Sequence, residues 1–254
     1  MNDLDGKAIL ITGGSSGIGR GTAEHLVGLG CRVTIAGRRA DRIESVASEL
    51  GELVRGVVGD VTVPGDRTRM VTEAVEHGGG RLDGLVSNAG NMYRGPITEL
   101  DDQRLLDLFN VNVVAGMQLT GLAVPHLSES EGCVVFIGSV HTKRAFPGVS
   151  PYAATKGAVE ALTAVLAAEL GPQGIRVSCV RPGAIPSEIN VRAGLATPEE
   201  NLERLESLAP AHALGRIGTP LHIAEAISYL IGADWTTGGV VDVDGGLGLG
   251  VTNR

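Results

Sequence analysis

Short apolar segments alternate along the chain with longer segments of helical periodicity. The apolar segments are rich in Val, Ile and Leu and mostly lack polar residues at alternate positions, which is typical of strands buried on both faces. The seven predicted strands cover residues 7–12, 32–36, 53–58, 82–87, 133–138, 175–180 and 239–243. Strand–helix alternation of this kind predicts an α/β fold in which a doubly wound parallel sheet carries helices on both faces.

Helix start signals support the helical segments. Ser150-Pro151 and Thr219-Pro220 each place an N-cap residue before a proline at the first helical position, and Thr197 to Glu200 resembles a capping box. No repeat or linker divides the chain, so we predict one domain over residues 1–254. The predicted helices cover residues 17–29, 39–50, 64–78, 102–128, 151–171, 198–208 and 220–232.

Composition mainly excludes classes of partner. The 254 residues are 43% hydrophobic and 20% charged, and the net charge of −8 argues against a nucleic-acid or anionic membrane surface. The acidic start Met1–Asp5 and the lack of 18 consecutive apolar residues predict no secretory signal and no membrane span, hence a cytoplasmic protein. Cys31, Cys133 and Cys179 are far apart in or beside apolar runs, so we predict reduced thiols and no metal site.

A glycine-rich segment from Thr12 to Gly19 directly follows the first predicted strand. Glycines at 13, 17 and 19 permit a sharp turn, a close approach of backbone N–H groups to a pyrophosphate, and close packing of the next helix on the sheet. The helix N-terminus then faces the phosphates. Such a segment alone also fits an ordinary strand–helix turn, but the strand before it and the amphipathic helix after it favour a dinucleotide site.

The second predicted strand ends at Gly37-Arg38-Arg39. NAD-specific sites place an acidic residue here to accept a hydrogen bond from the ribose 2′-hydroxyl, and Gly37 cannot do so. Arg38 is suited to a 2′-phosphate. The pattern therefore favours NADP(H), with NAD(H) as the alternative, unless these arginines only begin a solvated helix.

Tyr152 and Lys156 are four residues apart and lie on one helix face. A nearby ammonium stabilises a tyrosine phenolate, which would lower the pKa from its usual value near 10. Ser139 ends the fifth predicted strand, and ligands bind at the carboxyl ends of parallel strands. Ser139 could hold a substrate carbonyl oxygen there, although a serine at a strand end often serves only as a cap.

These segments resemble the short-chain dehydrogenase/reductase family in its classical single-domain form, and the resemblance covers nearly the whole chain. Thr12 to Gly19 is similar to the family's Thr-Gly-x-x-x-Gly-x-Gly motif. Gly138 departs from it, because serine is common there. The other matching segments are Asp60-Val61 (adenine contact), Asn88-Ala89-Gly90, Pro182-Gly183 beside the nicotinamide, Ser187 (carboxamide contact) and the C-terminal strand Val241 to Gly246.

The resemblance implies a Rossmann-like fold of three layers and a catalytic tetrad of Asn112, Ser139, Tyr152 and Lys156. Tyr152 would be the general acid–base group, Ser139 would polarise the substrate oxygen, Lys156 would lower the tyrosine pKa and hold ribose, and Asn112 would hold a water. The implied reaction is hydride transfer between a nicotinamide cofactor and a secondary alcohol or ketone. The predicted cofactor-binding residues are Gly13, Ser15, Ser16, Gly17, Ile18, Gly19, Arg38, Arg39, Asp60, Val61, Asn88, Ala89, Gly90, Tyr152, Lys156, Pro182, Gly183, Ile185 and Ser187; Ser139, His141 and Tyr152 are the predicted substrate-binding residues.

Three other functions stay open. An epimerase or dehydratase of the extended branch would need another glycine spacing and a longer C-terminal region, and an enoyl reductase a longer Tyr–Lys spacing. A cofactor-sensing protein without turnover is the third. Residues 187–216 form an insertion that we interpret as a substrate lid, since long loops often carry function. Its apolar residues fit either a partly hydrophobic substrate or packing of the lid itself, and His141 fits pocket lining better than a second base.

Two helical segments predict self-association. Residues 111–127 contain no Asp, Glu, Lys or Arg, and residues 153–170 contain only Lys156, Glu160 and Glu169 as charged residues. A helix on one face of a sheet should be polar on its outer side, so these segments need cover on both sides. A second copy of the chain can provide it. We predict a homo-oligomer, and the family resemblance favours a tetramer over a dimer.

Overall fold

One parallel sheet organises residues 3–250, the part of the chain that the computed structural model describes. Its strand order is β3-β2-β1-β4-β5-β6-β7. All seven predicted strands are confirmed; the first two residues of the acidic N-terminal segment, and residues 251–254, lie outside the described residues. The strands are β1 (Ala8–Thr12), β2 (Arg32–Gly37), β3 (Val54–Val58), β4 (Gly84–Ser87), β5 (Cys133–Ile137), β6 (Arg176–Pro182) and β7 (Val240–Val243).

Helices cover both faces of the sheet. Within residues 3–250 they are α1 (Gly17–Gly28), α2 (Ala40–Leu50), α3 (Pro64–His77), α4 (Asp102–Phe109), α5 (Ala115–Ser130), α6 (Ser150–Leu170), α7 (Ile189–Arg192), α8 (Pro198–Glu206) and α9 (Pro220–Gly232). The capping box at Thr197 is confirmed, because the Glu200 amide donates to the Thr197 hydroxyl and the Thr197 amide to the Glu200 carboxylate. The predicted N-cap at Ser150 is wrong by one residue: Ser150 is already helical and Val149 precedes it.

Strand β1 shows how the two cores form. All five of its residues are buried, and successive side chains point to opposite faces. Ile9 and Ile11 belong to the core beneath α1, α2 and α9, whereas Leu10 belongs to the core beneath α3, α5 and α6. Burial of each such side chain contributes roughly 1.5–3 kcal/mol, so the continuous apolar strands stabilise both layers at once.

The helix predicted over residues 102–128 contains a distortion that periodicity does not reveal. A π-helical turn, Asn110–Val114, separates α4 from α5. The continuous helical run Asp102–Ser130 is long and apolar enough to cross a bilayer by length and composition, and 39% of its most apolar window is buried. It packs on α3, β4 and β5 as a helix that covers the sheet, which leaves much of its outer side exposed.

The order in which successive strands are added to the sheet reverses between β1 and β4. Strands β2 and β3 extend from one side of β1, and β4 to β7 extend from the other. The crossover connections therefore diverge at this point, and a crevice opens at the carboxyl ends of the strands. The segments that follow β1, β2, β4, β5 and β6 all contribute residues to this crevice.

Candidate active site

A cleft of about 290 Å³ lies at the carboxyl end of the sheet and brings most of the predicted site together. Two predicted residues, Gly19 and Asn112, are absent from its lining and lie behind it. The predicted residues that line the cleft are Gly13, Ser15, Ser16, Gly17, Ile18, Arg38, Arg39, Asp60, Val61, Asn88, Ala89, Gly90, Ser139, His141, Tyr152, Lys156, Pro182, Gly183, Ile185 and Ser187.

The glycine-rich turn has the geometry of an anion cradle. Gly13 and Gly17 adopt φ angles of 67° and 53°, which L side chains rarely tolerate. A β-carbon at Gly19 would lie 2.3 Å from the Gly13 carbonyl oxygen, so the helix packs directly on the turn. Ser16 makes no side-chain cap on α1, which leaves the first amides of that helix available to a phosphate. These features fit a dinucleotide pyrophosphate.

A fourth glycine of this turn was not predicted to have a role. A β-carbon at Gly14 would lie 2.6 Å from the Ile35 Cβ atom, so Gly14 allows the turn to pack against β2. Asn88 holds the turn from the other side, because its side-chain amide donates to the Thr12 and Gly13 carbonyl oxygens at 2.8 and 3.2 Å. The Asn88 side chain therefore shapes the cradle by binding protein backbone.

Ion pairs tie together the end of the cleft next to β2. The Arg39 guanidinium lies 2.8 Å from the Glu188 carboxylate and 3.4 Å from the Ser16 hydroxyl. Arg38 lies 3.7 Å from Asp60, and its side chain is 64% exposed. Arg39 thus links the glycine turn to the segment after β6, while Arg38 stays accessible to a ligand phosphate.

The predicted catalytic side chains meet beside this cradle. The Ser139 hydroxyl is 2.8 Å from the His141 Nδ1 atom and also hydrogen bonds to Tyr152. The rings of His141 and Tyr152 pack edge to face, with their centroids 5.5 Å apart. The Lys156 ammonium donates to the Ile137 carbonyl oxygen at 2.8 Å and lies 5.6 Å from the centre of the Tyr152 ring.

Burial dominates the acid–base properties of these groups. Burial raises the pKa of Tyr152 to about 12, and the hydrogen bond with Ser139 acts in the opposite direction. Burial lowers the pKa of Lys156 to about 8, against the effects of Cys179 and Glu160. The sequence predicted a tyrosine pKa lowered by Lys156. In this structure the direction is opposite, because desolvation of the phenolate outweighs the distant ammonium.

His141 is uncharged at neutral pH. Its pKa is lowered to about 4, first by burial and then by the positive charges of Arg94 and Arg204. A base with so low a pKa is poorly matched to proton abstraction near pH 7. This agrees with the interpretation of His141 as a residue that lines the pocket and contacts Ser139.

Asn112 acts from the π-helical turn behind the cleft. Its side-chain oxygen accepts from the Asn91 amide at 2.8 Å, and its nitrogen donates to the Asn91 carbonyl and the Thr155 hydroxyl at 3.1 and 3.0 Å. The π turn directs this amide between the segment after β4 and helix α6. Functional sites often contain such turns, because the irregular backbone aims a side chain where a regular helix would not.

A charged network missed by the sequence analysis supports the Ser139 segment. Glu160 on α6 accepts from the Thr142 hydroxyl at 2.6 Å and pairs with Arg181 at 2.8 Å. The Thr142 hydroxyl also lies 2.8 Å from the Ser139 carbonyl oxygen. This explains Gly138, where the family commonly has serine: a β-carbon there would lie 2.9 Å from the Cys179 sulfur and 3.0 Å from the Glu160 carboxylate.

Sequence comparison assigns the family. The profile described as short chain dehydrogenase matches residues 7–196. The chain belongs to the short-chain dehydrogenase family. The glycine turn after β1 and the Tyr152–Lys156 pair on α6 both lie within the matched residues of this short-chain dehydrogenase.

Known relatives cover nearly the whole chain. An L-fucose dehydrogenase from Bos taurus is 36% identical, with 96% of this chain and 90% of the relative aligned. A tropinone reductase homolog from Arabidopsis thaliana is 32% identical, with 96% and 92% aligned. The crystal structure of a 3-ketoacyl-(acyl-carrier-protein) reductase from Brucella melitensis complexed with NADH superimposes with a TM-score of 0.87 at 30% identity, covering 96% of this chain and 99% of that one. This short-chain dehydrogenase is thus an oxidoreductase whose relatives differ in substrate.

Proposed function

We propose that the protein catalyses hydride exchange between a nicotinamide cofactor and a secondary alcohol or ketone, with Tyr152 as the general acid–base group. The observation that carries the proposal is that Ser139, Tyr152 and Lys156 line the same cleft as the glycine cradle. When bound, the nicotinamide ring supplies or accepts the hydride. The protein supplies binding, orientation and the proton.

The proton is supplied by neighbouring side chains. In the reducing direction the Ser139 hydroxyl donates a hydrogen bond to the carbonyl oxygen, and the Tyr152 phenol transfers its proton to the same oxygen. A phenol with a pKa of about 12 carries its proton at neutral pH, so Tyr152 is present in the donor form. In the oxidising direction Tyr152 accepts the alcohol proton, and the Lys156 ammonium on the same helix face favours the phenolate.

Replacing the phenol tests this assignment. Tyr152→Phe keeps the ring and removes the transferable proton, so we expect ketone reduction to fall by roughly 10²–10⁴-fold, the usual contribution of general acid–base catalysis. The affinity for NADPH, measured by its fluorescence, should stay within about twofold. Tyr229→Phe is the matched control, because that tyrosine is exposed and does not line the cleft.

Two results would contradict the proposal. Near-normal turnover by Tyr152→Phe would remove Tyr152 from catalysis. A wild-type protein that binds NADPH but reduces no ketone in a chemically varied panel would instead be a cofactor-sensing protein without turnover.

We further propose NADP(H) as the preferred cofactor and residues 187–216 as a substrate lid. Support for NADP(H) comes from the exposed Arg38 guanidinium at the end of β2 and from Gly37, which has no side chain to bind a ribose hydroxyl.

Support for the lid comes from its contacts: Glu188 pairs with Arg39, and Asn201 donates to the Ser187 carbonyl oxygen at 3.0 Å. Hydrogen exchange that slows in this segment when NADP⁺ binds would support closure, and uniformly slow exchange in the free protein would contradict it.

A homotetramer is the proposed assembly. Its support is the apolar outer side of α5 and α6, where Met117, Leu122 and Val165 are 46%, 38% and 61% exposed. Light scattering should give about four times the 26.1 kDa of one chain. Val165→Glu should yield smaller species, whereas Leu29→Glu, at the end of α1, should not. A stable wild-type monomer at micromolar concentration would contradict this assembly.

A further inference from the structure

Two arginines line the substrate end of the cleft. Arg94 follows β4 and Arg204 lies on α8, and both line the cleft near His141. Among residues 3–250 neither guanidinium forms a salt bridge, in contrast to Arg38 and Arg39 at the cofactor end. The proposed function does not use this pair.

The two guanidinium groups line the same cleft as His141. Burial and the positive charge of Arg204 both lower the pKa of Arg94, and both arginines act on His141. The acidic side chains that line the cleft are Asp60 and Glu188, which pair with Arg38 and Arg39. Like charges that line one cleft repel each other when the cleft is empty. A bound anion would relieve that repulsion.

The pyrophosphate of the cofactor does not account for this pair. The cradle lies at Ser16 and Gly17, where the Arg39 side chain already reaches. Arg192, a further arginine of the lid, interacts with Arg38, Arg39 and Glu188 and so belongs to the cofactor end. Arg94 and Arg204 instead act on His141, which touches Ser139 and Tyr152, where the substrate oxygen is expected.

We propose that Arg94 and Arg204 bind an anionic group of the substrate, so that the ketone or alcohol carries a carboxylate or a phosphate. Guanidinium groups match the planar oxygens of either anion and form charge-assisted hydrogen bonds with them. The same end of the cleft presents Phe146, Leu205 and Leu208, which suit a short apolar segment between the anion and the reacting carbon. The inference rests on the proposed oxidoreductase function and specifies its substrate class.

Binding can be tested without turnover. The protein is saturated with NADP⁺, so that the cradle is filled, and is then titrated with butyrate or with inorganic phosphate while the His141 ring is followed by NMR. Either anion should raise the pKa of His141, because it neutralises the nearby arginines. Arg94→Gln and Arg204→Gln should each abolish the response. Arg32→Gln, at the opposite end of the sheet, should keep it.

Steady-state kinetics with pairs of charged and neutral ketones test the same inference through turnover. Each keto acid is compared with its methyl ester, and each keto phosphate with its dephosphorylated ketone. We expect kcat/KM to favour the anion, and Arg94→Gln or Arg204→Gln to reduce kcat/KM for the anion by about 10–100-fold through KM, the usual effect of losing a hydrogen bond to a charged group. Neutral ketones should change less than about twofold. The preferred pair distinguishes a carboxylate from a phosphate.

The two proposals fail in different ways. If neither anion affects His141, or if the arginine variants reduce turnover of neutral and anionic ketones equally, the anion site is wrong while reduction itself persists. If Tyr152→Phe leaves turnover intact, the proposed mechanism is wrong, whatever the substrate preference.

Discussion

The two ends of the cleft are built in different ways. At the cofactor end, the first backbone amides of α1 have no side-chain cap, and Arg38 and Arg39 have the carboxylates of Asp60 and Glu188 as neighbours. At the substrate end, side chains from residues 187–216 and from the segment after β4 line the cleft, and within residues 3–250 Arg94 and Arg204 form no salt bridge, unlike Arg38 and Arg39. A cofactor that many related enzymes have in common can thus be bound by backbone geometry, which the spacing of glycines encodes. A substrate that differs from one enzyme to the next depends on individual side chains.

The backbone cradle can be broken by one methyl group. In Gly19→Ala the new β-carbon would lie 2.3 Å from the Gly13 carbonyl oxygen, so the turn must shift. Overpacking of this kind destabilises the fold by roughly 1–3 kcal/mol, and because the turn that faces the cleft must shift, we also expect NADPH affinity to fall at least about tenfold. Binding is measured by NADPH fluorescence and stability by thermal unfolding.

A control on the same helix separates local packing from helix propensity. A β-carbon at Gly28 would meet nothing within 4 Å, so Gly28→Ala should bind NADPH normally. Unchanged affinity in Gly19→Ala would mean that backbone placement is not what distinguishes the cofactor end.

The choice between NADPH and NADH sharpens the comparison. It depends on one side chain, Arg38, at the cofactor end, where the cradle itself is formed by backbone. Arg38→Ala should weaken NADPH binding by about tenfold, the effect of one charged hydrogen bond, and change NADH binding by less than about twofold. Titration of both cofactors checks this. Arg42→Ala, an exposed arginine on α2, is the control. Equal losses for both cofactors, or a wild-type preference for NADH, would show that Arg38 is only surface charge.

The smallest effect concerns stability at the positively charged substrate end. The pKa of His141 is about 4 in the folded protein and about 6.5 in an unfolded chain. Between these values the unfolded chain binds the proton more readily, so stability falls as the pH is lowered from about 6.5 to 4. His141→Gln should reduce the difference in unfolding free energy between pH 7 and pH 5 by about 1–2 kcal/mol. Urea unfolding at the two pH values measures this difference. If His141→Gln leaves the difference unchanged, the lowered pKa of His141 is contradicted.

Local patterns predicted the sheet and the cradle well. The strands are continuous apolar runs, and the glycines of the turn have steric requirements that spacing alone expresses. Ser139 could be placed at the cleft because ligands bind at the carboxyl ends of parallel strands, and the family resemblance implied that Tyr152 and Lys156 join it there.

Features that depend on tertiary contacts escaped prediction. The π turn at Asn110–Val114 is held by contacts of Asn112 with Asn91 and Thr155, which lie outside this helix and which local periodicity does not reveal. Desolvation of Tyr152 likewise depends on packing, so the spacing to Lys156 predicted the wrong direction for its pKa. Arg94 and Arg204 are 110 residues apart, and nothing local indicates that they share a cleft.

The π turn makes the placement of Asn112 depend on helical phase. Each residue of an α-helix advances the chain by about 100°, so the one extra residue in Asn110–Val114 offsets everything before it from everything after it. A deletion of one residue there would restore an unbroken α-helix while rotating Asn112 away from Asn91 or α5 away from the sheet. An uninterrupted α-helix could therefore not pack α5 on the sheet and direct Asn112 toward Asn91 at the same time.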